Sequence, residues 1–195
     1  MKKILVATTN LGKLREIRGM LAGLPVDLLS LSDVPPLIEP EETGTTFAEN
    51  ARLKALYYHE KAGLPAVADD SGLEIEALDG APGVHSARWH GTHYPTKFDA
   101  IYRELEAQGL DTSPARFVGH IALADEGRIV FEATGIVEGR IAPEPRGEFG
   151  FGYDPIFFYP PYGITLAEVD GPRKSEVSHR GRAFRQLVAW LSNLP

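Results

Sequence analysis

Cysteine is absent from this chain of 195 residues, which excludes disulfides, thiolate metal sites and cysteine nucleophiles together. Long apolar runs are missing as well. After Met1-Lys2-Lys3 the segment Ile4-Leu5-Val6-Ala7 stops at Thr8-Thr9-Asn10, too short for a signal-peptide core or a membrane span. Cations are outnumbered: 20 Lys and Arg face 27 Asp and Glu, for a formal charge of -7. A sequence-independent grip on DNA or RNA needs the opposite balance, so nucleic acid and membrane are not expected partners. A small phosphorylated ligand needs only a few local cations. There is no internal repeat and no low-complexity tract. The composition, 43% hydrophobic and 24% charged, is that of a folded globular protein, and the length suits one large domain or two lobes sharing one core. The lack of cysteine fits a cytoplasmic location.

Along the chain, residues 3–8 read as a buried first strand, and Asn10 caps a helix over 11–22 through its side-chain oxygen. Residues 26–31 read as a second strand and 34–44 as a Pro- and Glu-rich loop. Thr46 and Glu49 form a capping box that starts a helix at 47 running to 62. Pro65-Ala66-Val67-Ala68 is an apolar strand expected to end at Asp69-Asp70-Ser71-Gly72, with strand-like character resuming over 73–78. A turn at 80–83 and a helix over 97–108 follow. Residues 116–124 and 128–137 alternate as a hairpin, with a further strand near 137–142, a Gly-rich loop at 147–152, a short strand at 155–158 and a final helix from Ser178 to 192. A βαβ-like start and an antiparallel continuation predict a mixed sheet.

Five segments carry chemistry. Thr8-Thr9-Asn10-Leu11-Gly12-Lys13 turns a strand into a helix N-terminus, where backbone N–H groups and the helix dipole favour an anion and Lys13 adds a cation. A plain Asn-capped helix is the commoner form of such a turn. Glu39, Glu41 and Glu42 precede a helix on which Asn50 and Lys54 share a face; such carboxylates either complement the dipole or bind a metal. Asp69 and Asp70 beside a buried apolar strand are costly unless a cation neutralises them, and Mg²⁺ prefers one or two carboxylates with phosphate oxygens. Ser71 is placed to donate to a phosphate. In Glu148-Phe149-Gly150-Phe151-Gly152-Tyr153-Asp154, aromatics interleaved with glycine suit stacking on a base, and Asp154 suits a ring N–H; an aromatic core corner fits the same residues. Lys174 to Arg180 gathers cations at a helix mouth, or else solvates a capped helix. His90 and His93 have no zinc-like spacing.

Together these segments resemble the inosine/xanthosine triphosphate pyrophosphatase family. The resemblance rests on Thr8-Thr9-Asn10 with Lys13 and Glu16, Glu41-Glu42-Thr43-Gly44 with Thr46-Phe47 and Glu49-Asn50-Ala51, and Lys54-Ala55. It continues through Ala68-Asp69-Asp70-Ser71-Gly72-Leu73, Gly80-Ala81-Pro82-Gly83-Val84, Ser86-Ala87-Arg88 and Phe151-Gly152-Tyr153-Asp154-Pro155-Ile156-Phe157, and ends with Lys174 and Ser178-His179-Arg180-Gly181. His85, Trp89 and Gly171-Pro172-Arg173 depart from the family pattern.

The resemblance implies an α/β fold: an elongated mixed β-sheet with flanking helices, in two lobes around a central substrate cleft. It implies hydrolysis of ITP, dITP or XTP to the monophosphate and pyrophosphate, with Mg²⁺, in a homodimer. Carried over by position, Asp70 is the expected proton acceptor and a metal ligand, with Glu42 and, less centrally, Glu41 on the metal. Thr8, Thr9, Asn10, Leu11, Gly12, Lys13, Lys54 and Ser71 are expected to hold the phosphates. Phe151, with Gly152 and Tyr153 beside it, is expected to stack on the base, which Asp154, Lys174, His179 and Arg180 read or position. Three other readings are a Maf-type enzyme for modified pyrimidine triphosphates, a nucleotide sensor without turnover, and a structural or interaction module, which would have no reason to pair carboxylates at a buried strand.

Overall fold

The structure, a computed structural model, describes residues 3–193. Its strands are β1 (Lys3–Val6), β2 (Asp27–Ser30), β3 (Ala66–Ile75), β4 (Pro114–Asp125), β5 (Arg128–Ile141), β6 (Phe157–Tyr159) and β7 (Ile164–Thr165). Its helices are α1 (Leu11–Leu21), α2 (Phe47–Ala62), α3 (Tyr94–Ala107), α4 (Gly171–Val177) and α5 (His179–Ser192). The sheet order is β2-β1-β3-β4-β5-β6-β7. β1 pairs in parallel with β2 and β3, while β6 pairs antiparallel with β5 and β7, so the sheet is mixed, as expected. Among the described residues no helix is long and apolar enough to cross a membrane.

The chain divides into two compact units. The first holds residues 3–70, 119–135 and 179–193; the second holds Ser71–Val118 and Ile136–Ser178.

In the first unit the strand pleat sorts side chains onto two faces. Ile4, Val6, Val67, Ile121 and Leu123 meet Ile17 and Leu21 of α1 and Phe184 and Leu187 of α5. Leu5, Ala7, Ala66, Ala68, Ala122 and Ala124 meet Ala51, Ala55 and Tyr58 of α2. Alanine on both sides of that second interface lets α2 approach the sheet closely. The helix starts are local in origin. Asn10 Oδ1 accepts from Gly12 N and Lys13 N at 2.9 and 3.1 Å. Thr46 and Glu49 form the capping box of α2, and Gly63 closes it at φ 63°.

The second unit packs Phe98, Ile101 and Leu105 of α3 on Leu73, Ile75, Phe117, Val137, Ile141, Ile156 and Phe157.

Four expectations need correction. β3 does not stop at the acidic pair but runs through it to Ile75, and a single 3-10 turn covers Glu76–Leu78. α3 begins at Tyr94, because Pro95 is tolerated in a first turn. The strand expected near 137–142 is the continuation of β5. A 3-10 turn at Asp154–Ile156 precedes β6, in place of a strand from Pro155. α4 was not anticipated: Asp170 caps it by accepting from Arg173 N at 2.9 Å, with Pro172 in its first turn.

Candidate active site

Asp69 and Asp70 are adjacent in a pleated strand, so their side chains leave on opposite faces. Asp69 shares the parity of Val67 and faces α1 and α5, where its carboxylate meets Lys13 Nζ at 2.6 Å and Arg180 Nη2 at 3.3 Å. Arg180 also donates to Glu16 at 2.7 Å. Asp69 and Arg180 are sealed from solvent, with side-chain exposures of 0% and 2%, while Lys13 and Glu16 each keep 16%. Burial alone would raise the Asp69 pKa, but Arg180 and Lys13 outweigh it and hold the carboxyl well below the usual range. Burial lowers the pKa of Lys13 despite Asp69.

Asp70 shares the parity of Ala68 and faces α2. Lys54 Nζ donates to Asp70 Oδ1 at 2.9 Å, to Glu42 Oε1 at 2.7 Å and to the Asp69 carbonyl at 3.0 Å, which uses all three of its N–H bonds. Burial lowers the Lys54 pKa, but Asp70 and Glu42 reverse this and keep it above its ordinary value. For Asp70 burial dominates, and Lys54 and Lys13 only partly offset it, so its pKa lies above the ordinary carboxylate value. Its second oxygen, Oδ2, is buried without a hydrogen-bond partner. Such an atom is costly in isolation and is the one point here that calls for a proton or a cation. Among the described residues no trio of His, Asp and Glu forms a closed metal cage. Two carboxylates converging on one ammonium suit instead a hard cation that completes its shell with water and ligand oxygens. Glu42 is half-buried at Lys54; Glu41 is exposed.

The turn before α1 differs in one respect from its sequence reading. The Gly12 and Lys13 N–H groups, expected to face an anion, are taken by Asn10 Oδ1. Thr8 Oγ1 accepts from Asn10 N at 3.2 Å and Thr9 Oγ1 donates to Glu39 at 3.4 Å. Leu11 is 75% exposed. What this end offers a phosphate is Lys13 and the threonine hydroxyls. Ser71 follows the acidic pair on β3 and opens the second unit.

In the second unit, Asp154 is buried and its Oδ2 accepts from Phe151 N at 2.8 Å and from Lys174 Nζ. Lys174 Nζ lies 4.8 Å from the centroid of the half-buried Phe151 ring. Gly150 is required here: at φ 72° a Cβ would stand 2.2 Å from Asp154 Oδ2. Tyr153 is buried and its hydroxyl donates to the Ser86 carbonyl at 3.0 Å, so it braces the loop from behind. Phe151, Gly152, Tyr153, Asp154 and Lys174 thus form one cluster in the second unit. Lys13, Lys54, Glu42 and the acidic pair form another in the first. His179 and Arg180 begin α5 in the first unit, both buried, and the Arg180 guanidinium, assigned to the base from sequence, is engaged by Asp69 and Glu16. Glu16, part of the resemblance, had no role assigned from sequence, and one further group escaped sequence reading. Lys97 is fully buried without a carboxylate, donating to the Ser86 and Ala87 carbonyls at 2.9 and 2.8 Å, which nothing local announces.

The Ham1 family profile matches residues 4–190. A dITP/XTP pyrophosphatase of Oceanobacillus iheyensis is 43% identical, with 100% of both chains covered. One from Geobacter sulfurreducens is 47% identical over 96% of this chain and 95% of its own. The structure of a HAM1 protein from Coxiella burnetii superposes with a TM-score of 0.88 at 40% identity, covering 100% of both chains. A match over nearly the whole chain in sequence and fold assigns it: this chain belongs to the Ham1 family.

Proposed function

We propose that this chain hydrolyses non-standard purine nucleoside triphosphates, ITP, dITP and XTP, to the monophosphate and pyrophosphate. The observation that carries the reading is the buried, unpartnered Oδ2 of Asp70 beside Lys54 and Glu42, in a chain whose relatives bear the name dITP/XTP pyrophosphatase.

Asp70 accepts the proton of the attacking water at Oδ2, and its raised pKa suits a general base. Attack falls on the α-phosphorus. Lys54 fixes Asp70 and Glu42 and keeps a positive charge among them. Lys13, with Thr8 and Thr9, meets the triphosphate, while Asn10, Leu11 and Gly12 shape the turn that carries them. Ser71 donates to a phosphate oxygen. Glu42 and Asp70, with Glu41 nearby, would hold Mg²⁺, which when bound neutralises phosphate oxygens and charge on the departing pyrophosphate.

Phe151 stacks on the base. Asp154 accepts a ring N1–H and Lys174 donates toward a C6 oxygen; His179 makes a further substrate contact, and Arg180 acts through Asp69. Hypoxanthine and xanthine carry N1–H and a C6 oxygen. Adenine has a bare N1 and an amine, which would leave buried groups unpaired, and sites of this kind reject such analogues strongly.

The test is pyrophosphate release from ITP, XTP, ATP, GTP and dUTP with Mg²⁺. Preference for ITP and XTP over ATP is expected. Equal rates on ATP would overturn the substrate assignment, and preference for dUTP would favour the pyrimidine reading. The homodimer is likewise a proposal, checked by sedimentation.

A further inference from the structure

Tyr94 opens α3 and is half-buried. Three neighbours pin its ring. Lys97 Nζ, one turn on, lies 4.4 Å from the ring centroid; Tyr153 meets it edge-on at 5.2 Å and 86°; Phe98 is tilted against it at 6.3 Å. Lys97 is itself immobilised by the Ser86 and Ala87 carbonyls, so the ring cannot swing away without undoing a buried ammonium. The ring is therefore fixed, but its hydroxyl is not used: it makes no hydrogen bond with any described residue. It lies 3.5 Å from the point where a Cβ on Gly152 would stand, against the loop that carries Phe151 and Asp154. Burial and the Asp154 charge both push its pKa up, so at neutral pH it remains an O–H donor.

We infer that Tyr94 is a specificity-determining residue whose hydroxyl donates to an oxygen at C2 of the bound purine. The inference rests on the base reading of the 151–154 loop proposed above. In that reading Asp154 takes N1–H and Lys174 the C6 oxygen. The C2 edge, on the other side of N1, is left for the remaining donor beside Gly152. Xanthine has an oxygen there and hypoxanthine only C–H. Tyr94 therefore favours XTP and is indifferent to ITP.

The experiment compares kcat/KM for XTP and ITP in wild type and Tyr94→Phe. The ring and its contacts with Lys97 and Tyr153 survive this change, and no protein hydrogen bond is lost. XTP turnover should fall about tenfold, the scale of one hydrogen bond, with ITP within about twofold. Equilibrium binding of XMP and IMP by calorimetry reads the same preference without catalysis, and the XMP advantage should shrink in parallel. An equal loss on both nucleotides, or an unchanged XTP value, would overturn the role of Tyr94 while leaving the functional reading intact. Wild type that turns over neither nucleotide would overturn that reading and this inference with it.

Discussion

Asp69 and Asp70 are consecutive in β3 yet belong to different charge systems: Asp69 is bonded to Lys13 and Arg180 on one face of the sheet, Asp70 to Lys54 on the other. The separation is a direct result of the strand's two-residue period. It predicts opposite outcomes for the two conservative substitutions.

Asp70→Asn should lower kcat by about 10²–10⁴-fold, the usual contribution of a positioned general base. Stability should move the other way. A buried carboxyl whose folded pKa lies above its unfolded value destabilises the fold at any pH where the unfolded group is ionised. The variant should therefore melt at or above the wild-type temperature at pH 7, with the gap closing toward pH 4. Calorimetry across pH measures this; a large loss of Tm would mean the Asp70 charge supports the fold.

Asp69→Asn should be costly to the fold, because it strands Lys13 and Arg180 without their shared carboxylate. Removing one partner of a buried ion pair costs about 3–5 kcal/mol. Here the folded pKa lies below the ordinary 3.8. The contribution is therefore complete above about pH 5 and fades as the pH falls below 4. Urea denaturation of wild type and variant should give a constant difference at pH 5–8 that narrows in acid. A difference independent of pH would remove the charge from the explanation.

Glu42→Gln should raise the Mg²⁺ concentration for half-maximal rate by about 10-fold or more, as loss of a supporting or direct carboxylate typically does, with kcat at saturating Mg²⁺ less affected. Titration of the rate with Mg²⁺ checks this. Chelation with EDTA should abolish turnover of the wild type, and an EDTA-insensitive rate would remove the cation from the scheme.

Gly135→Ala tests packing rather than chemistry. A Cβ there would stand 1.9 Å from the His179 carbonyl oxygen and 2.9 Å from Ala183 N, both backbone atoms at the start of α5. Relief requires moving the helix, so the loss should reach about 3 kcal/mol, a fall in Tm of roughly 6–12 °C. A near-neutral result would show that α5 can shift without penalty.

The same residues show why part of the molecule was legible in sequence. The limits of α2 follow from Thr46, Glu49 and Gly63, each acting within one turn, and were read to the residue. The run through Asp69 and Asp70 was misread as a strand end because two carboxylates inside a buried strand look prohibitive until Lys13, Lys54 and Arg180 are known to arrive from three different helices. β5 was read as two strands, 128–137 and 137–142, and the need for Gly135 within it was not legible, because it is dictated by the close approach of α5, a tertiary fact. The two clusters of candidate site residues were legible as motifs. Their internal wiring was not: that Lys54 spends its three N–H bonds on Glu42, Asp70 and a carbonyl depends on how closely an alanine-lined helix packs on the sheet.

The most direct test of the central claim is ³¹P NMR of the products formed from ITP and Mg²⁺ in ¹⁸O-enriched water. Water activated by Asp70 and delivered to the α-phosphorus places the label on inosine monophosphate and leaves pyrophosphate unlabelled. Label on pyrophosphate, or the appearance of orthophosphate and a diphosphate, would contradict the account.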